Sequence, residues 1–357
     1  MEPRVQNDRL EAQFSKLKKA PQDSGLSIEG MRLLIHLETE RRKTTGQNKL
    51  DCRVLDVEQL SEFLQHLSEI KPPAQGIRLQ AIVRNGMHYT AVDFKLSPQG
   101  NECIILDAAN DPRRMLAVAK VMNLQNAAGQ DFFKTIYAPS APDERPRENL
   151  QEDFFSCPMF SLDHVCRVSE LENIYDHMGN VARPNANKNF SNFPVIHWDM
   201  LPPPLVWNAQ SNAWLEQYAK MHEKEIQQRV PGRDFSFVEY LEKQKRVQDA
   251  EEKPDKAINI STELLFADLS ENALRYIKKA AQPIDAKIIN PTLEDEIEKL
   301  KVLQPKVDDK FRDAAGIGQQ YRLFKQKPHN VMERLGMLKE KLFSKASDES
   351  KKPEKKH

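Results

Sequence analysis

The stretch that decides the fold is IRLQAIVRNGMHYTAVDFKLSPQGNECIILDAAN, residues 77–110. Two runs of alternating apolar residues flank Asn85-Gly86, and a third run, ECIIL, follows a Ser-Pro-Gln-Gly turn. An Asn-Gly pair between such runs is the strongest local signal for a β-hairpin, because both turn residues would adopt a positive φ. The stretch therefore predicts three consecutive strands, with His88 at the start of the second and Asp107 at the end of the third.

The segments on both sides of these strands predict helices. Apolar residues recur at helical spacing over residues 28–42 and 57–70. Asp111-Pro112 predicts an N-cap and first helical residue, opening a helix through Met122. A further strand is predicted at FFKTIYA, residues 132–138. Helices and a small sheet in this order predict an α+β fold.

The composition excludes several classes of protein. The 357 residues include 53 Lys and Arg against 53 Asp and Glu, which gives no overall bias toward nucleic acid or a membrane surface. The four cysteines form no CxxC pair, so we expect neither a metal site nor a redox motif. No apolar leader and no run of about 18 apolar residues is present, so we expect neither a cleavable signal peptide nor a membrane span.

Cys157-Pro158 opens an apolar run that predicts a buried helix with Cys157 as its N-cap. A cysteine at a helix N-terminus is favoured as the thiolate by the helix dipole, so Cys157 is the candidate nucleophile. His88 is the candidate base, Asp107 would orient it, and Gln151 would donate to the oxyanion. Each residue alone fits an ordinary structural role, since a buried cysteine is usually a core residue. Their order along the chain is far more specific.

Three segments resemble YopJ-type acetyltransferases. HYTAVDFKLSPQGNECIILDAAN is similar to the family's histidine and acid block, QEDFFSCPMFSL to its nucleophile block, and LPPPLVWNAQSNAWLEQY to a segment downstream. The resemblance implies that Cys157 takes an acetyl group from acetyl-CoA while His88 moves the proton and Asp107 holds His88. A Ser, Thr or Lys of a host signalling protein would then receive the acetyl group. It further implies a CE-clan cysteine-protease-like core with a small mixed sheet, plus a helical regulatory lobe from both ends of the chain.

The resemblance also implies ligand contacts. Acetyl-CoA would contact Asp153 and Phe160, which flank the nucleophile. Inositol hexakisphosphate, an activator in the family, would bind two basic clusters: Arg41, Arg42 and Lys43 in the first, and Arg322 and Lys325 in the second. The alternative for the first cluster is favourable charge at a helix C-terminus, and for the second it is a solvated helix face. No metal is implied.

Two departures from the family pattern keep other functions open. Pro158 stands where relatives often have a small residue, and Trp207-Asn208 stands where they have Lys-His, although Gln210 is kept. One alternative is therefore a family member without catalysis that acts as an interaction protein. The other is a protease for ubiquitin-like or SUMO-like proteins, because such enzymes share the same triad.

The predicted organisation has four parts. A helical segment covers residues 1–74, the catalytic core 75–220, a helical regulatory region 221–344, and a disordered tail 345–357. Because the family consists of bacterial effectors, the resemblance implies export by a route independent of a signal peptide into the host cytoplasm. We expect a host protein as partner, and neither nucleic acid nor a membrane span.

Overall fold

The computed structural model describes a large part of the chain. The described residues are 3–19, 25–47, 49–126, 129–142, 149–153, 155–187, 189, 191–227, 236, 238–239, 242, 260–280 and 284–303. Arg322, Lys325 and the predicted tail lie outside them, as does most of the predicted region 221–344.

The centre of the structure is a five-stranded mixed sheet in the order β1-β2-β3-β4-β5. The strands are β1 (Cys52–Asp56), β2 (Ile77–Asn85), β3 (His88–Leu96), β4 (Asn101–Leu106) and β5 (Phe133–Tyr137). Strands β2, β3 and β4 form the predicted antiparallel meander, and β1 and β5 add to its two sides in parallel. The segment 1–74, predicted to be helical, therefore also contributes a strand.

The central hairpin forms as predicted, but its loop is shifted by one residue. Asn85 pairs with His88, so Gly86 and Met87 make the two-residue loop. Gly86 has a φ of +64°, whereas Asn85 and Met87 do not take positive values. Glycine at the first loop position is typical of a type II′ turn. The prediction that both Asn85 and Gly86 adopt positive φ was wrong, because Asn85 remains in the strand.

Helices surround the sheet. They are α1 (Pro3–Lys19), α2 (Ile28–Thr45), α3 (Val57–Ser68), α4 (Arg114–Met122), α5 (Cys157–Glu170), α6 (Ile174–Val181), α7 (Asn212–Met221), α8 (Ile260–Lys279), α9 (Ala286–Ile289) and α10 (Leu293–Lys301). Helix α4 begins at Arg114, later than the predicted Pro112. The Asp111 carboxylate accepts from Arg113 N at 2.7 Å, so it stabilises a turn before the helix.

Each face of the sheet carries its own hydrophobic core, because neighbouring side chains on a strand point to opposite faces. On one face, Ile82 and Ile104 belong to the core that includes α5 and the N-terminal helices. On the other face, Ala81 and Ile105 belong to the core formed with α3 and α4. Helix α5 contacts β3 and β2 directly. This packing brings the first residue of α5 to the region where β3 begins.

Helices from both ends of the chain also pack together. Helix α1 lies along α8, and α9 packs on α2. Lys18 of α1 forms an ion pair with Glu271 of α8 at 3.1 Å. The structure thus confirms the predicted α+β class, with a small mixed sheet and helices contributed by both ends of the chain.

Candidate active site

His88 and Asp107 come from neighbouring antiparallel strands. His88 is the first residue of β3, and Asp107 directly follows β4. Ala91 of β3 pairs with Leu106 of β4, so Asp107 lies close to the start of β3. Nε2 of His88 is 2.6 Å from Oδ2 of Asp107, and Thr90 Oγ1 donates to the same oxygen at 3.2 Å. Thr90 was not predicted, but it lies two residues after His88 on the same strand face, and that alternation is a signal for it.

The turn after β4 holds the Asp107 carboxylate. Oδ1 of Asp107 accepts from Ala109 N at 3.2 Å, and its main-chain carbonyl accepts from Asn110 N at 3.0 Å. Asn110 has a φ of +51°, a left-handed conformation that asparagine adopts more readily than most residues. Asp107 is 1% exposed and His88 is 2% exposed. Their hydrogen bond is therefore formed away from water.

Cys157 is the first residue of α5 and lies next to the hairpin loop. The N-cap is Ser156, not Cys157 as predicted, and Pro158 lies in the first turn, where its missing N–H leaves no helical hydrogen bond unmade. The Cys157 thiol is 3.6 Å from the main-chain oxygen of Met87. It lies close enough to the His88 imidazole to raise the pKa of that group. The structure thus brings the predicted nucleophile to the predicted base.

The electrostatics of this cluster centre on His88. Burial alone would lower the pKa of His88, but the hydrogen bond to the Asp107 carboxylate and the adjacent Cys157 raise it to about 10. A protonated imidazole next to a cysteine favours the thiolate, which is the nucleophilic form. The arrangement therefore places the candidate nucleophile beside an imidazole that is oriented by a buried carboxylate.

The other cysteines are in a different environment. Burial raises the pKa of Cys166 to about 12 and raises the pKa values of Cys52 and Cys103 well above the ordinary range. Because the neutral thiol is a poor nucleophile, these three cysteines are suited to packing.

Gln151 lies on the loop before Cys157, but its amide is engaged by another residue. Its Nε2 donates to the Asp153 carbonyl at 2.8 Å and to the Asp153 carboxylate at 3.2 Å. Its Oε1 is buried with no hydrogen-bond partner in the described part of the chain. The oxyanion role of Gln151 stays a prediction, and in this structure its donors point to Asp153.

The two residues predicted to contact acetyl-CoA occupy different surroundings. The Asp153 carboxylate accepts from Ser156 Oγ at 2.5 Å and from Gln210 Nε2 at 2.6 Å. Phe160 is 3% exposed, and its ring lies 6.0 Å from the ring of His164 in the core. Both contacts stay predictions.

The first basic cluster divides into buried and exposed side chains. The Arg42 side chain is 1% exposed and forms ion pairs with Glu38 at 2.8 Å and Glu170 at 3.1 Å. Arg41 and Lys43 are 48% and 59% exposed, and each pairs with an acidic residue one turn away. Arg42 thus joins α2 to α5, whereas its two neighbours face solvent.

A cleft of about 470 Å³ opens beside this cluster, between α2, β1 and the α9–α10 region. Cationic side chains outnumber acidic ones in its lining. The cations are Arg32, Lys43, Lys49, Arg53, Lys287 and Lys299, and the acids are Glu40, Asp51 and Glu296. Arg41 and Arg42 are not part of the lining. The cleft has the charge that an anionic ligand requires.

The described residues contain neither a membrane-spanning helix nor a cluster of metal-ligating side chains. None of the described helices is long and apolar enough to span a membrane. Within the same residues, no group of three or more His, Cys, Asp or Glu side chains is placed to hold a metal ion.

The chain is similar to a known protein family and to solved structures of other proteins. A family model described as YopJ serine/threonine acetyltransferase matches residues 8–264. Two similar solved structures are a deletion variant of AvrA with IP6 and CoA (13% identity, 77% of this chain and 99% of that chain, TM-score 0.47) and HopZ1a in complex with IP6 (10% identity, 78% and 94%, TM-score 0.48). No curated protein matches the chain. Since the family model matches well over half of the sequence, the chain belongs to the YopJ serine/threonine acetyltransferase family.

Proposed function

We propose that this protein is a cysteine-dependent acetyltransferase that moves an acetyl group from acetyl-CoA, through Cys157, to a Ser, Thr or Lys of a host protein. One observation carries the proposal: Cys157 begins α5 beside the hairpin loop that leads into His88, close to the buried His88–Asp107 pair. Membership of an acetyltransferase family supports acetyl as the transferred group.

The first half-reaction transfers the acetyl group to the protein. The Cys157 thiolate attacks the thioester carbonyl, and the C–S bond to CoA breaks. The CoA sulfur leaves with the proton of the His88 imidazolium, so that the acetylated Cys157, neutral His88 and free CoA thiol remain. The Cys157 main-chain N–H is the donor proposed to stabilise the oxyanion, because Ser156 N, Met159 N and Phe160 N already donate within the protein and Pro158 has no N–H.

The second half-reaction returns the protein to its initial state. Neutral His88 takes a proton from the hydroxyl or amine of the acceptor, whose oxygen or nitrogen attacks the acetyl carbonyl. The bond to Cys157 breaks, and the thiolate is restored beside the imidazolium. Asp107 binds Nε2 of His88, which leaves Nδ1 to exchange the proton.

Pro158 does not argue against this chemistry. It lies in the first turn of α5, where helices tolerate proline because the main-chain N–H there has no partner within the helix. The Cys157 N–H is retained. The geometry therefore gives no reason to regard the nucleophile as disabled.

Inositol hexakisphosphate is the proposed activator, bound in the cleft between α2, β1 and the α9–α10 region. The excess of cations there supports the proposal, since polyphosphates require several converging Lys or Arg side chains. Lys43 belongs to the originally predicted cluster, and Lys287 and Lys299 come from the C-terminal half of the chain. Binding there would join the two ends of the chain beside β1. The proposed place of action is the host cytoplasm, reached by a route that does not use a signal peptide.

The proposal is tested by incubating the protein with acetyl-CoA and measuring its intact mass. We expect a single added acetyl group that peptide analysis places on Cys157, and slower acetylation when inositol hexakisphosphate is left out. A protein that is never acetylated but cleaves a ubiquitin-like or SUMO-like probe would be a protease instead. A protein that does neither would be a non-catalytic interaction protein.

A further inference from the structure

Gln210 lies against the loop that leads into α5, at a distance in sequence from every predicted catalytic residue. Its Oε1 accepts from Glu152 N at 2.6 Å and from Asp153 N at 3.1 Å. Its Nε2 donates to the Asp153 carboxylate at 2.6 Å and to Ser156 Oγ at 3.2 Å. Gln210 is 2% exposed, so these four hydrogen bonds are formed in the interior.

We infer that Gln210 is a positioning residue for Cys157, acting through Asp153 and Ser156. The inference rests on the proposed function, because it names a residue that prepares the nucleophile for acyl transfer. It also gives Asp153 a role within the protein: its carboxylate orders the loop before Cys157.

Asp153 connects Gln210 to the start of α5 through hydrogen bonds. Its Oδ1 accepts from Ser156 N at 2.8 Å and from Phe155 N at 3.1 Å. Its Oδ2 accepts from Ser156 Oγ at 2.5 Å. Ser156, which is fully buried, is thus held by both its N–H and its hydroxyl, and Cys157 is the next residue. A displacement of Asp153 would therefore displace the nucleophile relative to His88.

The chemistry of this contact requires an amide. The carbonyl oxygen of Gln210 serves two main-chain N–H groups, while its amino group faces a carboxylate. A glutamate would retain the acceptor but bring a second negative charge against Asp153, and an alanine would lose both functions. The main chain adds a further tie, since Gln210 N donates to the Leu150 carbonyl at 2.8 Å.

The segment that carries Gln210 also contacts α5 farther along. Trp207 Nε1 and Asn208 Nδ2 donate to Asp163 Oδ2 at 2.9 and 2.8 Å. His164 Nε2 hydrogen bonds with the Leu205 carbonyl at 3.1 Å. These contacts fix the segment to α5 independently of Gln210. The amide of Gln210 is therefore held in place against the loop before Cys157.

The test uses the full-length protein and the isosteric substitution Gln210→Glu. At saturating acetyl-CoA we expect single-turnover acetylation of Cys157 to slow by roughly 10- to 100-fold, because small misplacements of a nucleophile are costly. The half-saturating concentration of acetyl-CoA should stay within about twofold of the wild-type value, since Gln210 is proposed to act on geometry and not on binding. The double variant Asp153→Asn/Gln210→Glu exchanges donor and acceptor and should recover most of the lost rate.

Gln59→Ala is the matched control. Gln59 Oε1 also accepts from a main-chain N–H, that of Asp56 at 3.0 Å, but it does so at the start of α3 on the other face of the sheet. Its loss should leave the acetylation rate unchanged. If Gln210→Glu is not folded by circular dichroism, Ser156→Ala removes only the hydroxyl shared by Asp153 and Gln210, and should give a smaller fall in rate with the same half-saturation.

The outcomes separate this inference from the proposed function. Acetylation of folded Gln210→Glu at the wild-type rate, or a double variant that stays as slow as Gln210→Glu, would overturn the positioning role while acetyl transfer stands. If even the wild type is not acetylated, the proposed function fails, and positioning is then read from alkylation of Cys157 by iodoacetamide at pH 7. Slower alkylation in Gln210→Glu than in the wild type supports the inference, and equal rates overturn it.

Discussion

Helix α5 carries one buried cysteine at its N-terminus and another near its C-terminal end, and the two differ in their partners. Cys157 is 5% exposed and Cys166 is 8% exposed, so burial does not distinguish them. Cys157 lies close to His88, whose imidazole is held by the Asp107 carboxylate. The groups that act on Cys166 are carboxylates and guanidiniums, and burial has the largest effect and raises its pKa to about 12. We therefore attribute the difference in reactivity to the imidazole beside Cys157.

The two ends of α5 also differ in how they are held. The loop before Cys157 is ordered by neutral donors and one carboxylate, and its nucleophile faces the start of β3. The other end is joined to α2 by Arg42, which donates to the Cys166 carbonyl at 3.0 Å and pairs with Glu38 and Glu170. We interpret the N-terminal end of α5 as the catalytic end and the C-terminal end as the anchor that attaches α5 to α2.

The largest difference between the two ends of α5 is expected when each cysteine is replaced in turn. Cys157→Ala should lower acetyl-enzyme formation by at least about 10³-fold, because it removes the thiol that is proposed to carry the acetyl group. Cys166→Ala should leave acetylation near the wild-type rate and lower stability by about 1 kcal/mol, as for a small core side chain. Intact-mass kinetics and urea unfolding measure the two effects. Loss of acetylation in Cys166→Ala with full activity in Cys157→Ala would reverse the assignment.

The base at the reactive end gives the next largest effect. His88→Ala should slow acetylation by about 10²- to 10⁴-fold, because both half-reactions need its proton transfer. Adding Cys157→Ala should cause little further loss relative to Cys157→Ala alone, since residues of one catalytic unit are not additive. Iodoacetamide at pH 7 should label Cys157 before Cys166 in the wild type, and this preference should disappear in His88→Ala. Wild-type acetylation by His88→Ala would contradict the proposed mechanism.

The anchoring end is tested by stability. Arg42→Ala removes the buried partner that Glu38 and Glu170 share, although Glu38 keeps Arg41 and Glu170 keeps Arg167. We therefore expect a loss of about 1.5–3 kcal/mol, as for hydrogen bonds to charged groups. Arg41→Ala is the matched control, because Arg41 also pairs with Glu38 but is 48% exposed, and exposed pairs contribute about 1 kcal/mol or less. Urea unfolding curves compare the two. Equal losses would mean that Arg42 is not the anchor.

The part of the candidate site that depends on local structure could be predicted from the sequence. His88 and Asp107 lie in a meander with short turns, so alternation and turn residues were enough to place them on adjacent strands. Strand β1 was missed because its five residues run directly into α3, with no turn between them, and it pairs with β2 beyond that helix.

The roles of other residues depend on contacts between segments that are far apart in the sequence, and no local pattern predicts those contacts. A basic helix end such as 41–43 resembles an exposed surface, and Arg42 is buried because α5 packs against it and brings in Glu170 from 128 positions away. The contact between Gln210 and the loop before α5 likewise joins segments 57 and 58 positions apart. Such side chains acquire their roles only when distant segments pack together.

The smallest expected effect concerns ligand binding, and it distinguishes Lys43 from its neighbour Arg42. Lys43 and Lys49 line the cationic cleft, whereas Arg42 is part of the anchor, so Lys43→Glu/Lys49→Glu alters the proposed ligand site without breaking the α2–α5 contact. Exposed charge pairs are worth about 0.2–1 kcal/mol each, so changing two of them should weaken inositol hexakisphosphate binding about tenfold. Binding by the wild type should also weaken with added salt, and it should raise the unfolding temperature by an amount that grows with the logarithm of the ligand concentration. Lys18→Glu, on α1 and paired with Glu271, is the control with the same change of charge outside the cleft. Calorimetry on the three proteins decides: equal affinities, or a larger loss in Lys18→Glu, would place the polyphosphate somewhere other than this cleft.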